Sequence, residues 1–229
     1  MTTGRILLLV FGVIILLGGI ASLFGGGALM WANSALTDGE GFLTTSTVRL
    51  DQDSHAIITT PTDIDVSAAW LWTWSNLVIF KVEGSNDDPS KQIFIGIAEE
   101  SSLNAYLSDV NYDEITEFHF YPYSVEYINH TGDSEPAAPT SQTFWAASAY
   151  GGGNQTLKWE PETGSYSLVL MNDDGSAGVD LSVVFGAKVP WVFGIGVGLL
   201  VTGVLSLVVG ALMVIFAFAT RRSQASPPT

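Results

Sequence analysis

Two long apolar blocks lie near the ends of the chain, and a polar segment separates them. The blocks run from Ile6 to Trp31 and from Val189 to Ala219, and neither contains an acidic, basic or histidine residue. At about 1.5 Å per residue each block reaches roughly 40 Å as a helix, which exceeds a hydrocarbon core of about 30 Å. The pattern predicts transmembrane helices at 6–31 and 189–220, tails at 1–5 and 221–229, and a β domain at 32–188.

A cleaved signal peptide is the alternative for the first block. Arg5 precedes its apolar run, and the small residues Gly19 and Ala21 lie where cleavage would be expected. The run nevertheless continues to Trp31, which favours a retained helix.

The segment between the blocks is dominated by the pattern of short strands. Runs rich in β-branched, aromatic or alternating apolar residues predict strands at 55–59, 77–83, 91–97, 114–121, 142–148, 155–160, 165–171 and 179–185. Turn residues at 84–90, 151–153 and 172–175 predict three hairpins. About eight strands in this arrangement predict a mainly antiparallel β-sandwich.

Two stretches of this segment depart from the strand pattern. Leu103, Tyr106, Leu107 and Val110 recur at helical spacing, which predicts one short amphipathic helix within 99–110, with Ser101 or Ser102 as a cap. Pro136, Pro139 and small polar residues predict a long mobile loop over 131–141.

Charge predicts the orientation of the chain. All 23 acidic residues and five of the eight basic ones lie between the blocks, giving the middle segment a net charge of −18, whereas Arg5, Arg221 and Arg222 flank the spans. The positive-inside rule then places both termini in the cytoplasm and the β domain outside. The acidity argues against nucleic acid as a partner. The chain has no cysteine, so the domain relies on packing rather than disulfides.

Small residues recur at four-residue spacing in both blocks. Gly18, Ser22 and Gly26 in the first, and Gly194 and Gly198 in the second, predict faces on which helix backbones approach closely. The simplest expectation is that the two spans pack on each other through them. The alternative is contact with a second copy or with another membrane protein. Because the spans carry no ionisable group, a transporter acting alone is disfavoured.

Several short motifs carry a resemblance that extends over nearly the whole chain. They are Trp31-Ala-Asn, Gly41-Phe-Leu-Thr-Thr, Phe94-Ile-Gly-Ile-Ala, Ala105-Tyr-Leu and Val169-Leu-Met-Asn-Asp-Asp-Gly-Ser. The chain resembles a group of two-span membrane proteins from actinobacteria and similar prokaryotes to which no activity is assigned. The resemblance implies topology and transfers no catalytic residue.

Candidate metal ligands are present, and each has a structural alternative. Asn172, Asp173 and Asp174 offer oxygens to calcium, as do Asp87 and Asp88, but neither run has the ligand order of a helical calcium loop, and tight turns use the same residues. Glu117 and His119 share one face of a predicted strand and could form half of a zinc site.

Trp70, Trp72 and Trp74 are the candidate ligand-binding residues. In an extended chain they share one face, where indoles could stack on sugars or hold an apolar partner, and core packing is the alternative. Asn129 and Asn154 begin two sequons that would permit N-glycosylation.

No motif points to catalysis, because cysteine is absent and no Gly-x-Ser-x-Gly elbow occurs. We therefore predict a non-enzymatic binding or accessory module without a cofactor, anchored in the bilayer and assembling with other membrane or envelope components. A sensor of a glycan-like envelope ligand and an envelope hydrolase are the alternatives.

Overall fold

The chain forms a helical unit and a β unit. The computed structural model describes residues 3–64, 78–120 and 123–219. The helical unit comprises Met1–Thr37 with Pro190–Thr229, and the β unit comprises Asp38–Val189. This division agrees with the two apolar blocks and the intervening domain expected from the sequence.

The helical unit consists of two paired antiparallel helices, α1 (Thr3–Leu36) and α3 (Trp191–Ala219). At 34 and 29 residues they are long and apolar enough to cross a membrane. Most of their large apolar side chains are exposed, as in Phe24 at 77% and Phe216 at 62%. The core helix of a soluble protein would bury such residues.

The two helices meet along glycines spaced seven residues apart. A methyl group built on Gly19 would lie 3.0 Å from the Gly203 carbonyl oxygen, and one on Gly26 would lie 2.8 Å from that of Gly196. Gly12 meets Gly210 in the same way. Only glycine permits so close an approach of two backbones.

Most of the contact residues predicted from the four-residue spacing are therefore wrong. Gly26 lies in the contact, but methyl groups built on Gly18, Gly194 and Gly198 would meet no described atom of the other helix within 4 Å, so these three glycines do not join the helices. Ser22 is partly buried. The seven-residue period keeps one face of each helix in register over its full length, which a run of four-residue steps does not.

The β unit contains, among the described residues, twelve strands, one α-helix, α2 (Glu100–Tyr106), and a short 3-10 helix (Pro139–Ser141). The strands are β1 (Leu43–Thr44), β2 (Val48–Gln52), β3 (Ala56–Thr59), β4 (Thr62–Ile64), β5 (Ile79–Asn86), β6 (Ile93–Glu99), β7 (Tyr112–Phe120), β8 (Tyr123–His130), β9 (Trp145–Gly151), β10 (Gln155–Trp159), β11 (Gly164–Asn172) and β12 (Val179–Lys188). Residue Glu99 is the N-cap of α2, without a side-chain capping bond, so the expected serine cap is wrong.

The strands form two sheets. In the first, β12 pairs with β5 and β5 with β10, while β1 and β2 pair with the other side of β12. In the second the order is β8-β7-β3-β11-β6-β9, with β4 also on β11. Only β3 and β7 are parallel among the described pairs. The mainly antiparallel sandwich predicted from the sequence is confirmed.

Apolar residues cover both faces of the second sheet. Ile57, Ile95 and Leu170 face the first sheet and build the main core. On the opposite face, Phe94 and Val169 pack against α2 and its neighbours. This double burial explains why β6 and β11 read as nearly continuous apolar runs.

The three hairpins expected from the turn residues are wrong. The turns at 84–90, 151–153 and 172–175 join β5 to β6, β9 to β10 and β11 to β12, and in each pair the strands belong to different sheets. Each connection crosses the core instead of closing a ladder. Turn residues specify a reversal of the chain, but not the sheet in which the next strand finds its partner.

A hairpin that the sequence analysis missed is formed by β7 and β8. The segment 131–141, expected to be mobile, is fixed by hydrogen bonds. The Ser134 amide donates to the Asp109 carbonyl at 2.8 Å, and the Trp145 indole donates to the Pro139 carbonyl at 2.9 Å. The segment is therefore part of the folded unit.

Candidate functional site

A cavity of about 210 Å³ lies between the two sheets at one end of the β unit. At this end the last residues of β12 pair with β1, so the first and last strands of the domain meet there. Its walls are formed largely by the aromatic residues Phe80, Trp159, Tyr166 and Phe185 and by the aliphatic residues Val82, Ile97 and Leu168.

Strand register brings the aromatic residues together. Phe80 on β5 is directly opposite Trp159 on β10, and their ring centroids lie 6.3 Å apart in a stacked arrangement. Tyr166, from the second sheet, meets Trp159 edge-on at 5.0 Å. The aromatic wall therefore spans both sheets, and its rigid rings present a large apolar surface to the cavity.

One polar group on this surface is the Thr59 hydroxyl. The Thr59 hydroxyl accepts a hydrogen bond from the Leu168 amide at 3.0 Å and retains its own hydrogen for donation. Ser167 contributes to the wall, but the alternation of β11 directs its side chain to the opposite face, with Val169 and Met171. Its buried hydroxyl has no hydrogen-bond partner among the described residues. The cavity thus suits an apolar group with at most a small polar end.

A cluster of lysines around Phe42 lies on the outer face of the first sheet. Phe42 is buried, and the ammonium groups of Lys81, Lys158 and Lys188 lie 4.8, 5.7 and 5.5 Å from the centre of its ring. Such distances allow cation–π attraction. Three of the five basic residues of an acidic domain thus converge on one aromatic ring.

Lys81 is the buried member of this cluster, with 4% of its side chain exposed. Burial alone would lower its pKa, but the hydrogen bonds that it donates to Asp38 and Glu83 raise that pKa above its usual value. The pKa of Asp38 is lowered to about 2, mainly by the hydrogen bond from Lys81 and next by that from the Phe42 amide. These contacts fasten the first residues of the domain to the sheet.

The predicted ligand-binding residues Trp70, Trp72 and Trp74 lie outside the described residues. The glycan-binding hypothesis that rests on them gains no structural observation.

The structure uses the candidate calcium run 172–174 as a turn. Asn172 is buried, its amide nitrogen donates to the Ser176 and Gly178 carbonyls, and its oxygen accepts from the Asn86 amide at 2.8 Å. Asp174 accepts from the Ser176 amide at 2.9 Å, which lowers the pKa of this carboxyl. Asp88 serves the turn at Ser90 in the same manner. Asp174 and Asp88 thus each use one carboxylate oxygen within their own turn, and the Asn172 oxygen joins this turn to β5.

The two sequon asparagines differ in their surroundings. Asn129 lies on β8, and its amide donates to the side chains of Asn111 and Asp113, each at 3.0 Å. Asn154 is exposed in the connection between β9 and β10. Both asparagines are exposed, so they differ in the hydrogen bonds of the Asn129 amide rather than in accessibility.

Glu117 and His119 do share one face of β7, and the Glu117 carboxylate lies 3.1 Å from His119 Nε2. The structure adds Glu126 of β8, which the sequence analysis missed because it did not identify that strand. The cavity residues were missed too, since nothing in the pattern assigns strands to one sheet or the other.

A comparison of the chain with protein-family models finds no match. A comparison with curated proteins finds no significant match either. The resemblance to two-span proteins of actinobacterial type therefore stays a prediction, and the cavity and the paired helices are the observations that bear on function.

Proposed function

We propose that this protein is a membrane-anchored, non-enzymatic binding module whose β-sandwich takes a hydrocarbon chain of a membrane lipid between its sheets. The observation that carries the proposal is the aromatic-walled cavity at one end of the sandwich.

The anchor rests on the helical unit. Both helices are long enough to span a bilayer and expose apolar side chains along most of their surface. Their antiparallel pairing places the N-terminal end of α1 and the C-terminal end of α3 on the same side of any membrane that they cross. In the sequence, Arg5 is near the first of these ends, and Arg221 and Arg222 follow the second. The positive-inside rule supports a cytoplasmic location for those ends and an extracytoplasmic β unit. The pairing of α1 with α3 also supports a retained helix rather than a signal peptide.

The ligand class follows from the dimensions and chemistry of the cavity. A cavity of about 150 Å³ lined by apolar side chains suffices for a benzene ring, so 210 Å³ accommodates a short stretch of hydrocarbon rather than a whole lipid. Each methylene removed from water contributes about 0.8 kcal/mol. Lipid chains are the most abundant hydrocarbon in the surroundings of a protein that is anchored in a bilayer.

An accessory role in an assembly belongs to the same proposal. Gly18, Gly194 and Gly198 leave open strips on the helices away from the α1–α3 contact. Such strips suit close approach of another membrane helix, from a second copy or from a different protein.

Photo-crosslinking tests the lipid proposal. The full chain is reconstituted in nanodiscs that contain a phospholipid with a diazirine on one acyl chain, and crosslinked peptides are mapped by mass spectrometry. We expect adducts on the peptide that contains Tyr166, in addition to adducts on the spans.

Two matched variants control this experiment. Thr62, on the cavity side of β4, is exposed, so Thr62→Trp should close the entrance and remove the Tyr166 adducts. Asp63→Trp places the same indole on the opposite face of that strand and should leave the adducts unchanged. Adducts confined to the spans in the unmodified protein would refute the proposal.

A further inference from the structure

Three potential metal ligands meet on one exposed face of the β7–β8 hairpin. They are Glu117 and His119 from β7 and Glu126 from β8, and one ligand atom from each lies within 4.8 Å of the other two. Glu117 Oε2 and His119 Nε2 are 3.1 Å apart. This group lies apart from the cavity and has no part in the lipid proposal.

An irregularity in β7 creates this arrangement. The register shifts between Ile115 and Glu117, so that Thr116 is an extra residue in the ladder. As a result Ile115 and Phe118 both face the core, although regular alternation would separate them. Without the bulge, Ile115 and Phe118 could not both face the core while Glu117 faces the solvent.

The register also sets two carboxylates against each other. Glu117 is directly opposite Glu126, and like charges in that position destabilise a ladder. His119 lies beside them, and the net negative charge of the domain raises the local concentration of cations. A bound divalent cation would turn this repulsion into attraction.

We propose that Glu117, His119 and Glu126 form a Zn²⁺ site. One imidazole nitrogen and two carboxylate oxygens are a ligand set that zinc accepts, and three protein ligands leave its fourth position open. In a tetrahedral site the ligand atoms are roughly 3.3 Å apart, so the exposed side chains need to close by an ångström or so. All three side chains are exposed, so the open position faces water or a partner.

The test is a calorimetric Zn²⁺ titration of the full, metal-free chain in detergent. We expect binding of one zinc ion per chain. His119→Ala and Glu126→Gln should each weaken that binding at least tenfold. In a parallel titration with Co²⁺, visible absorption bands of a four-coordinate ion should appear in the unmodified chain and vanish in His119→Ala.

The second histidine of the hairpin provides the matched control. His130 pairs with Glu114 at 2.9 Å, and His130→Ala should leave zinc affinity unchanged. The proposal fails if the chain does not bind zinc, if His119→Ala binds it equally well, or if only His130→Ala weakens it.

Discussion

Replacing Asp38 with asparagine should destabilise the β unit at neutral pH. The Asp38 carboxylate accepts a hydrogen bond from the buried Lys81 ammonium and further bonds from the Phe42 and Glu40 amides at 2.8 and 2.9 Å. Asparagine can keep the amide bonds through its oxygen, but it loses the charge that faces Lys81. Lys81 would retain Glu83 at 2.9 Å as its nearest partner.

The pKa of Asp38 gives the magnitude. The Lys81 bond is the largest cause of its fall from 3.8 to about 2. One pKa unit corresponds to about 1.4 kcal/mol, so the whole fall corresponds to about 2 kcal/mol, and the Lys81 interaction accounts for part of it. The side chain is 26% exposed, so solvent screening makes this figure an upper value. For a chain of this size, 1 kcal/mol shifts the melting temperature by about 2–4 °C, so we expect a fall of at most about 4–8 °C.

The pH dependence of the stability difference provides a second test of the same prediction. Because the pKa of Asp38 in the folded state lies below that in the unfolded state, the carboxylate stabilises the fold above about pH 4. This contribution is lost as the pH falls from about 4 to about 2. The difference between the unmodified chain and Asp38→Asn should therefore shrink over that interval.

The assay is thermal unfolding of the full chain in detergent, followed by near-ultraviolet circular dichroism at pH 7, 4 and 2. Asp53→Asn is the matched control, because Asp53 is exposed, and it should leave the melting temperature unchanged. Equal stability of Asp38→Asn and the unmodified chain at pH 7 would refute the reasoning, as would a difference that persists undiminished at pH 2.

Further predictions concern the contact between α1 and α3 and the segment 131–141. Gly203→Leu should separate the helices, because even a methyl group at this position would meet the Leu23 side chain at 2.8 Å. Gly198→Leu is the control, because a methyl group there would meet no described atom of the other helix within 4 Å. Distances between spin labels on the two helices should lengthen in Gly203→Leu and stay unchanged in Gly198→Leu. Tyr106→Phe removes a hydrogen bond of 2.6 Å to the Ala137 carbonyl and should cost about 1 kcal/mol, with faster amide exchange around Ala137. Burial raises the pKa of Tyr106 to about 12. The free energy by which the neutral phenol stabilises the fold should therefore be lost as the pH rises from about 10 to about 12. Phenolate absorbance and unfolding, followed together over this pH range, measure this loss.

The fold was predictable wherever a local pattern decides it. The helical spacing from Leu103 to Val110 indicated α2, and each of the eight predicted strands overlaps an observed one. The hairpins were not predictable, because a turn at Asn172 or Gly151 looks the same whether the next strand pairs locally or crosses the core. That choice depends on the apolar faces of both sheets together.

The candidate sites show the same division. Glu117 and His119 could be placed on one face from alternation alone, but Glu126 required the ladder between β7 and β8. The helix contact could be predicted as glycine-rich, yet its register depends on the seven-residue period shared by Gly12, Gly19 and Gly26. The cavity required knowledge of which strand ends meet.

The most direct test of the central claim is a search for nuclear Overhauser effects between lipid chains and methyl groups of the cavity. The full chain, with labelled isoleucine, leucine and valine methyl groups, is examined in nanodiscs. The lipid proposal predicts contacts from acyl-chain protons to the methyl groups of Ile97, Val82 and Leu168, and their loss in Thr62→Trp. Contacts from lipid to the methyl groups of the spans alone would contradict it.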